Sequence, residues 1–346
     1  MQTRLQSDDA AAPALACHSI RLMRPLPLLL PLLLAGCGGI QSAFTANGPD
    51  AAAVLHLTWI LFIGGGAILA LVVALTAYAV IAAPERRRWL SSPGFVIGGG
   101  IVFPVVTLSV LLVYGLLLTG RGGASNTAPL RIEITGEQYW WRVRYAAEGD
   151  RPAFETANEI HIPAGRPVEL TLNSADVIHS FWVPHLGGKL DMIPGQSNRL
   201  MLTASEPGTA RGQCAEFCGA QHASMALNAV TLPPTAFGDW RARQQGSALA
   251  PSAPDAVAGQ DIFRSAGCGA CHSVRGTEAI GVIGPDLTRI GSRQTLGAGL
   301  SVNTRAAMAA WIAGSQHLKP GNKMPSFDFL DAAQLNALAA YLEGLK

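Results

Sequence analysis

The pattern of apolar and polar positions changes character several times along the chain. Leu57 to Ala83 is one uncharged run, and Ser91 to Thr119 is a second. At ~1.5 Å rise per residue, either can cross a hydrocarbon core of ~30 Å. They predict membrane helices over about 57–83 and 95–119, inside an anchor spanning 50–120. Buried helices of a soluble core are the alternative, which runs this long disfavour. Glu85-Arg86-Arg87-Arg88 separates the two. A short arginine-rich loop belongs on the cytoplasmic side, so the pair predicts a hairpin whose outer ends both lie across the membrane. Gly64-Gly65-Gly66 and Gly98-Gly99-Gly100, set inside the apolar runs, predict close helix packing.

After a polar, glycine-rich stretch from Arg121 to Ala128, the period shortens to two. Ile132/Ile134 and Val168/Leu170/Leu172 alternate with polar residues, and Gly, Pro, Asn and Asp separate the short runs. This predicts an antiparallel sandwich or barrel over 128–240. Pro233 to Pro254 is rich in Pro, Ala, Ser and Gln and reads as a linker, placed at 241–254. A segment of about 15 such residues would span roughly 20 Å and hold the next domain near millimolar effective concentration. Residues 255–346 read as a small, mostly helical domain. Thr304 to Gly314 is one helix there, and Asp331 with Gln334 forms a capping box opening another down to Leu345.

Composition agrees with a membrane anchor. The 346 residues are too many for one ordinary domain. They are 49% hydrophobic and only 14% charged, as expected of a multi-domain membrane protein. A formal net charge of +2 gives no reason to expect nucleic acid. At the start, Met23-Arg24 followed by Pro25 to Ala35 has the layout of an export signal. It ends Leu34-Ala35-Gly36-Cys37, which resembles a bacterial lipoprotein cleavage box with Cys37 as the acylated residue. Ordinary signal cleavage is the alternative. Residues 1–37 are thus read as extension and signal, and Met23 suits a signal start better than Met1.

The six cysteines are two close pairs plus Cys17 and Cys37, so no structural disulfide framework is left over. The first pair lies in Gly212-Gln213-Cys214-Ala215-Glu216-Phe217-Cys218-Gly219-Ala220-Gln221-His222-Ala223-Ser224-Met225. A further imidazole, His179, stands upstream. Soft sulfur with imidazole selects copper, and a weak methionine beside Cys and His is the ligand vocabulary of electron-transfer copper. Two thiols and two imidazoles suit two copper ions bridged by both thiolates. A Cys214–Cys218 disulfide, a four-ligand zinc site and a helix stripe are the other readings, with Gly212 and Gly219 opposing a continuous helix. The second pair, Cys268-Gly269-Ala270-Cys271-His272, is a c-type haem attachment signature; a redox CxxC is the alternative. Met324, in the helix-breaking Lys319-Pro320-Gly321-Asn322-Lys323-Met324-Pro325, is the preferred second axial ligand. Met308 and His317 are the other candidates.

The copper segment, with Asp176 to Pro184 and Lys189 to Gly195, resembles subunit II of haem–copper cytochrome c oxidases over roughly residues 45–240. The remainder resembles class I cytochromes c. Together they look like the oxidase class in which cytochrome c is fused to subunit II. The resemblance implies a two-helix transmembrane hairpin, a cupredoxin-like all-β Greek-key domain and an all-α cytochrome c domain. It implies the dinuclear centre CuA on His179, Cys214, Glu216 (through its backbone carbonyl), Cys218, His222 and Met225. Haem c would be held by Cys268, Cys271, His272 and Met324, with Arg293 at a propionate and Gly284-Pro285-Asp286-Leu287 supporting the histidine. Magnesium at Asp191 and the Glu216 side chain, at an interface with subunit I, is implied too. Electrons would pass from an external donor (a soluble or membrane cytochrome, or the bc complex) through haem c and CuA to haem a in subunit I, where dioxygen is reduced. Subunit III and membrane lipids are further partners. The location implied is the bacterial inner membrane, with both redox domains on the periplasmic side.

Three positions depart from the family pattern. Its aromatic stretch commonly reads Gln-Trp-Tyr-Trp, whereas here Gln138 is followed by Tyr139, Trp140 and Trp141, which would form the electron relay. Ile97 stands seven residues before Pro104, where a proton-path Glu is frequent; Glu85 is a candidate substitute, with a solvated loop charge the preferred reading. Gln196 replaces the Arg of Pro-Gly-Arg. Two rival functions remain at this point: a CuA-bearing subunit of a nitric oxide reductase, and a membrane-anchored electron carrier or copper-delivery protein.

Overall fold

Why the two uncharged runs form helices, and why none of their most apolar stretch is buried among the described residues, follows from their composition. In the computed structural model, which describes residues 38–119 and 129–346, α1 runs Pro49–Ile81. The second apolar helix, α2, comprises Pro93–Ile97, a π-helical turn Gly98–Val102 and Phe103–Thr119. Each starts with a proline at its first turn, where the missing N–H costs nothing. Both are apolar on every side and none of their most apolar stretch is buried. Such helices have no single core-facing stripe and suit a lipid surround. The Cys37 cleavage box, the rest of the export signal and the 121–128 stretch lie outside the described residues.

The glycine runs do not do what their setting suggested. A Cβ at any of Gly64, Gly65, Gly66, Gly98, Gly99 or Gly100 would meet open space, so they mark no close approach of α1 to α2. In α2 the three glycines coincide with the π turn, where the ladder is locally wider. The helices meet instead at His56, whose Nδ1 lies 2.9 Å from the Tyr114 hydroxyl. The start of α1 is tied to the next domain through Asn47. Its side chain accepts from Glu206 N at 2.8 Å and donates to Glu206 O at 2.8 Å.

Period-two alternation produces ten strands in two five-stranded sheets. One sheet is ordered β3 (Phe154–Ala157), β2 (Trp140–Tyr145), β1 (Leu130–Glu137), β5 (Val168–Ser174), β8 (Asn198–Leu202). The other is β4 (Glu159–Pro163), β10 (Ala226–Leu232), β9 (Gly208–Cys214), β6 (His179–Trp182), β7 (Leu190–Met192). The sandwich is not purely antiparallel: β1 pairs with β5 and β4 with β10 in parallel. Such pairs arise because the chain switches sheets between neighbouring strands instead of closing every turn as a hairpin. Leu130, Ile132 and Ile134 of β1, Leu170 and Leu172 of β5, and Trp141 and Val143 of β2 point into the shared core.

The stretch read as linker is largely structured. Pro234–Gln245 is a helix, α3, and its Phe237, Trp240, Arg241 and Gln244 are buried. Their spacing of three, four and seven is one helical stripe. Trp240 stacks on His161 at 4.2 Å and meets Tyr145 edge-on at 5.3 Å. The Arg241 guanidinium pairs with Glu148 and donates to Ala146 O at 2.8 Å. Proline-rich composition hid this stripe, and the segment is no flexible 15-residue tether. The residues after α3 are held too: Ala248 N donates to Arg275 O at 2.8 Å. Trp240→Ala should lower the stability of the β domain by about 3–5 kcal/mol. Denaturant unfolding of the β domain, followed by its aromatic fluorescence, checks this.

The last domain packs α4 (Pro254–Ser265), α5 (Arg305–Leu318) and α6 (Ala332–Gly344) around Phe263, Met308, Ile312, Leu338 and Tyr341. The Asp331/Gln334 capping box is present with both reciprocal bonds. The 304–314 helix extends further, to Leu318.

Candidate functional site

The sulfur-rich segment is a strand end, a loop and one 3-10 turn. Strand β9 ends on Cys214, and Cys214 N donates to Met225 O at 2.9 Å, closing the loop. His222–Ser224 is the turn, and β10 begins directly after Met225. His179 opens β6, which pairs beside β9 with Phe181 opposite Cys214. The helix-stripe reading therefore fails, since strand and loop, not helical periodicity, gather these groups.

The donors form a connected cluster. Cys214 Sγ lies 3.8 Å from His179 Nδ1, 3.8 Å from Cys218 Sγ and 3.2 Å from the Glu216 carbonyl oxygen. Cys218 Sγ lies 3.7 Å from His222 Nδ1 and 3.9 Å from Met225 Sδ. Both cysteines are free and buried, and their sulfurs are far beyond the ~2.05 Å of a disulfide. Two sulfurs lie at the centre, each with its own imidazole and one weak donor. Six donors exceed the tetrahedral set of a structural zinc, and they fit a thiolate-bridged copper pair.

Surrounding groups fix these ligands. Asp176 Oδ1 accepts from His179 Nε2 at 2.8 Å, which turns Nδ1 toward the sulfurs. Burial alone would raise the Asp176 carboxyl, but bonds from Gln138 N, His179 and Val177 N outweigh it and hold the carboxyl low. Burial likewise opposes charge on His179, yet its bonds to Cys214 and Asp176 push it up. The Cys218 thiol beside Cys214 holds Cys214 low against the effect of burial, and Cys218 moves up in return. Gln138 Nε2 donates to Cys218 O at 2.6 Å, and a Cβ at Gly219 would lie 2.7 Å from the Tyr139 hydroxyl. Gln138 and Asp176 entered the sequence reading only as the ends of longer stretches, with no role of their own; Asp176 stands three residues before His179, whereas Gln138 had only the aromatic stretch beside it as a signal.

The CxxCH motif sits on a 3-10 turn, Cys268–Ala270, after α4. His272 Nδ1 donates to Pro285 O at 2.8 Å, which leaves Nε2 as the free ligand nitrogen. Burial keeps the imidazole below its ordinary value and hence neutral. A cavity of about 450 Å³ opens beside it, lined by Cys268, Cys271, His272, Arg293, Met308 and Met324 among others. That volume falls in the range of cofactor sites. The loop carrying Met324 is pinned: Met324 O accepts from Ser315 Oγ at 2.8 Å and Gln316 Nε2 at 2.7 Å. Met308 also borders the cavity from α5, whereas His317 does not line it. Arg293 is buried, donates to Asp286 O, and leaves its Nε without a partner. An unpaired buried guanidinium nitrogen at the cavity wall suits a propionate. These features fit a covalent haem. A Cβ on Gly284 would lie 2.5 Å from His272 Cε1, so Gly284→Val should cut haem c content several-fold. The pyridine haemochrome absorbance per chain reads this.

The aromatic stretch divides. Tyr139 and Trp140 line the haem cavity, with the Arg142 guanidinium 4.7 Å over the Trp140 ring. Trp141 faces inward instead, fully buried against Phe181 at 6.0 Å and 6.2 Å from the His179 ring. Alternation along β2 requires this. Asp191 lies on β7 opposite Ser180, and among the described residues neither it nor the Glu216 carboxylate belongs to a cluster of three metal-binding side chains.

Residues 132–231 match the family described as cytochrome C oxidase subunit II, periplasmic domain, and residues 256–346 match cytochrome c. Cytochrome c oxidase subunit 2 of Alkalihalophilus pseudofirmus is 33% identical over 339 residues, which is 93% of this chain and 97% of that one. The chain belongs to the cytochrome c oxidase subunit 2 family. The subunit 2 of Bacillus subtilis is 30% identical over 256 residues, 71% of this chain and 70% of that one. The solved periplasmic domain of subunit II from Bradyrhizobium japonicum is 31% identical, covering 34% of this chain and 94% of that chain at a TM-score of 0.32. Membership carries the cofactors CuA and haem c, a complex with subunit I, and a membrane anchor. The donor set and the cavity described above fit them.

Proposed function

We propose that this subunit II takes electrons from an external donor at its own haem c and passes them through CuA to subunit I. The CuA ligands in this reading are His179, Cys214, the Glu216 carbonyl, Cys218, His222 and Met225. Those of haem c are Cys268, Cys271, His272 and Met324, with Arg293 at a propionate. When bound, both centres accept and release single electrons at little structural cost. The residues around them do the rest. Asp176 orients His179, Pro285 orients His272, and apolar walls keep water from the buried sulfurs.

One observation carries the relay: the segment Gln138–Trp140 belongs to both sites. The Gln138 amide reaches the carbonyl of Cys218 at 2.6 Å, while Tyr139 and Trp140 border the haem cavity. Tyr139 and Trp140 are the connecting residues in this reading, and Trp141 supports His179 from the core. Rapid mixing of the intact oxidase with a reduced external cytochrome tests it. Haem c should reduce first and CuA second; reduction of CuA ahead of haem c would refute the order.

The arginine loop Arg86-Arg87-Arg88 favours a two-pass arrangement in the bacterial inner membrane, with both redox domains outside the cytoplasm. A lipid on Cys37, magnesium held by Asp191 and Glu216 together with subunit I, a subunit III, and a soluble cytochrome or bc complex as donor complete the proposed assembly.

A further inference from the structure

Lys319 follows the last residue of α5 and is almost wholly buried, 2% exposed. Its Nζ donates to three backbone carbonyls: Tyr139 O at 2.8 Å, Ser224 O at 2.7 Å and Gly297 O at 2.7 Å. An ammonium has three N–H donors, and each has a partner here. Two acceptors belong to the copper domain and one to the haem domain. Tyr139 borders the haem cavity, and Ser224 directly precedes the copper-ligand candidate Met225. Burial pulls Lys319 down to about 8, but three carbonyl acceptors on Nζ call for all three N–H donors and so for the ammonium.

The contacts around it cross the same seam. Ala226 N, on the other side of Met225, donates to Ala298 O at 2.9 Å. Gln294 N donates to the buried Glu159 carboxyl at 2.5 Å, and Asn228 Nδ2 to Gln294 Oε1 at 3.2 Å. Lys323, next to Met324, lies 3.9 Å from the Asp176 carboxylate that orients His179.

A buried ammonium satisfied only by carbonyls is a poor adhesive, because desolvation offsets much of what the bonds contribute. It is a steep gauge of position, however. Sliding one domain over the other would leave a buried charge short of a partner, which is costly. We infer that Lys319 is a positioning residue that registers the haem domain on the copper domain, so that electrons cross between them without domain movement. The inference rests on the relay reading above. It replaces a tethered, searching haem domain with a docked one.

The test is Lys319→Met in the intact oxidase. Interdomain electron transfer is followed by flash reduction of haem c, in buffer and in glycerol, alongside hydrogen–deuterium exchange. In the wild type, the haem c to CuA step should not depend on viscosity, and the Ala226 amide should exchange as slowly as the β-sandwich core. In the variant the step should slow about tenfold or more and become viscosity-dependent. Exchange should rise at peptides containing Tyr139, Ser224–Ala226 and Gly297–Ala298. The optical and EPR signatures of both centres should stay as they were, which a general folding defect would not allow. Lys319→Arg, with charge kept but a planar fork facing three separate carbonyls, should fall between. A variant rate within about twofold of wild type and independent of viscosity overturns the proposal. So does a viscosity-dependent step or a fast-exchanging Ala226 in the wild type, readouts that stand even if the variant does not assemble. No electron passing from haem c to CuA in the wild type would instead overturn the relay itself.

Discussion

Cys214→Ser in the intact oxidase is expected to abolish the CuA signal and lower oxygen consumption on the order of a hundredfold or more, leaving haem c reducible by its donor. Loss of an outer-shell partner already costs roughly 10–100-fold in metal affinity or activity, and Cys214 is a donor itself. Of the two thiols it is the one whose surroundings favour the thiolate, and it touches His179, the Glu216 carbonyl and Cys218. A serine hydroxyl is harder and stays protonated at neutral pH, so it replaces neither the softness nor the charge. Its size lets β9 and the Cys214 N to Met225 O bond survive. Electrons should therefore accumulate on haem c with the β domain still folded. Copper retained at full occupancy in the serine variant would contradict the ligand assignment.

Met324→Ala is expected to do the converse. The haem c potential should fall, on the order of tenths of a volt, with CuA spectra unchanged. The loop bearing Met324 is fixed by Ser315, Gln316 and Asn322, the last through Met324 N to Asn322 Oδ1 at 2.7 Å. Met308 borders the cavity but is committed to the packing of α5 and α6. A redox titration of haem c checks the assignment. An unchanged potential in Met324→Ala, with a fall in Met308→Leu or His317→Ala, would move the ligand.

Most of the candidate donors were legible in the sequence because they lie in two short motifs, while His179 and Met324 stand apart in stretches of their own. The spacing Cys214–Cys218–His222–Met225 survives folding as a loop around two sulfurs, and CxxCH brings its own histidine. Alternation along β1 and β5 marked the core, and the same pattern read along β2 would also have placed Trp141 inward. Chain length and lack of charge marked α1 and α2. Other features left weaker traces. The stripe Phe237, Trp240, Arg241, Gln244 was present, but prolines, alanines and glutamines around it resembled a linker. The parallel pairings of β1 with β5 and β4 with β10 depend on sheet switching, which no local pattern encodes. Lys319 stood in the sequence only as the first residue of the helix-breaking loop that carries Met324. Its partners are carbonyls of residues 139, 224 and 297, and backbone acceptors have no residue type to search for. Contacts between distant segments through main-chain atoms are the part of this fold that local sequence reasoning misses.

The central claim is that Cys214 and Cys218 bridge two copper ions beside a covalent haem on the same chain. Copper and zinc quantitation together with EPR of the intact oxidase tests it most directly. The account predicts a copper pair in this subunit, with a hyperfine pattern from one unpaired electron shared equally by two copper nuclei. Zinc at this site, or the pattern of a single copper nucleus, would contradict it.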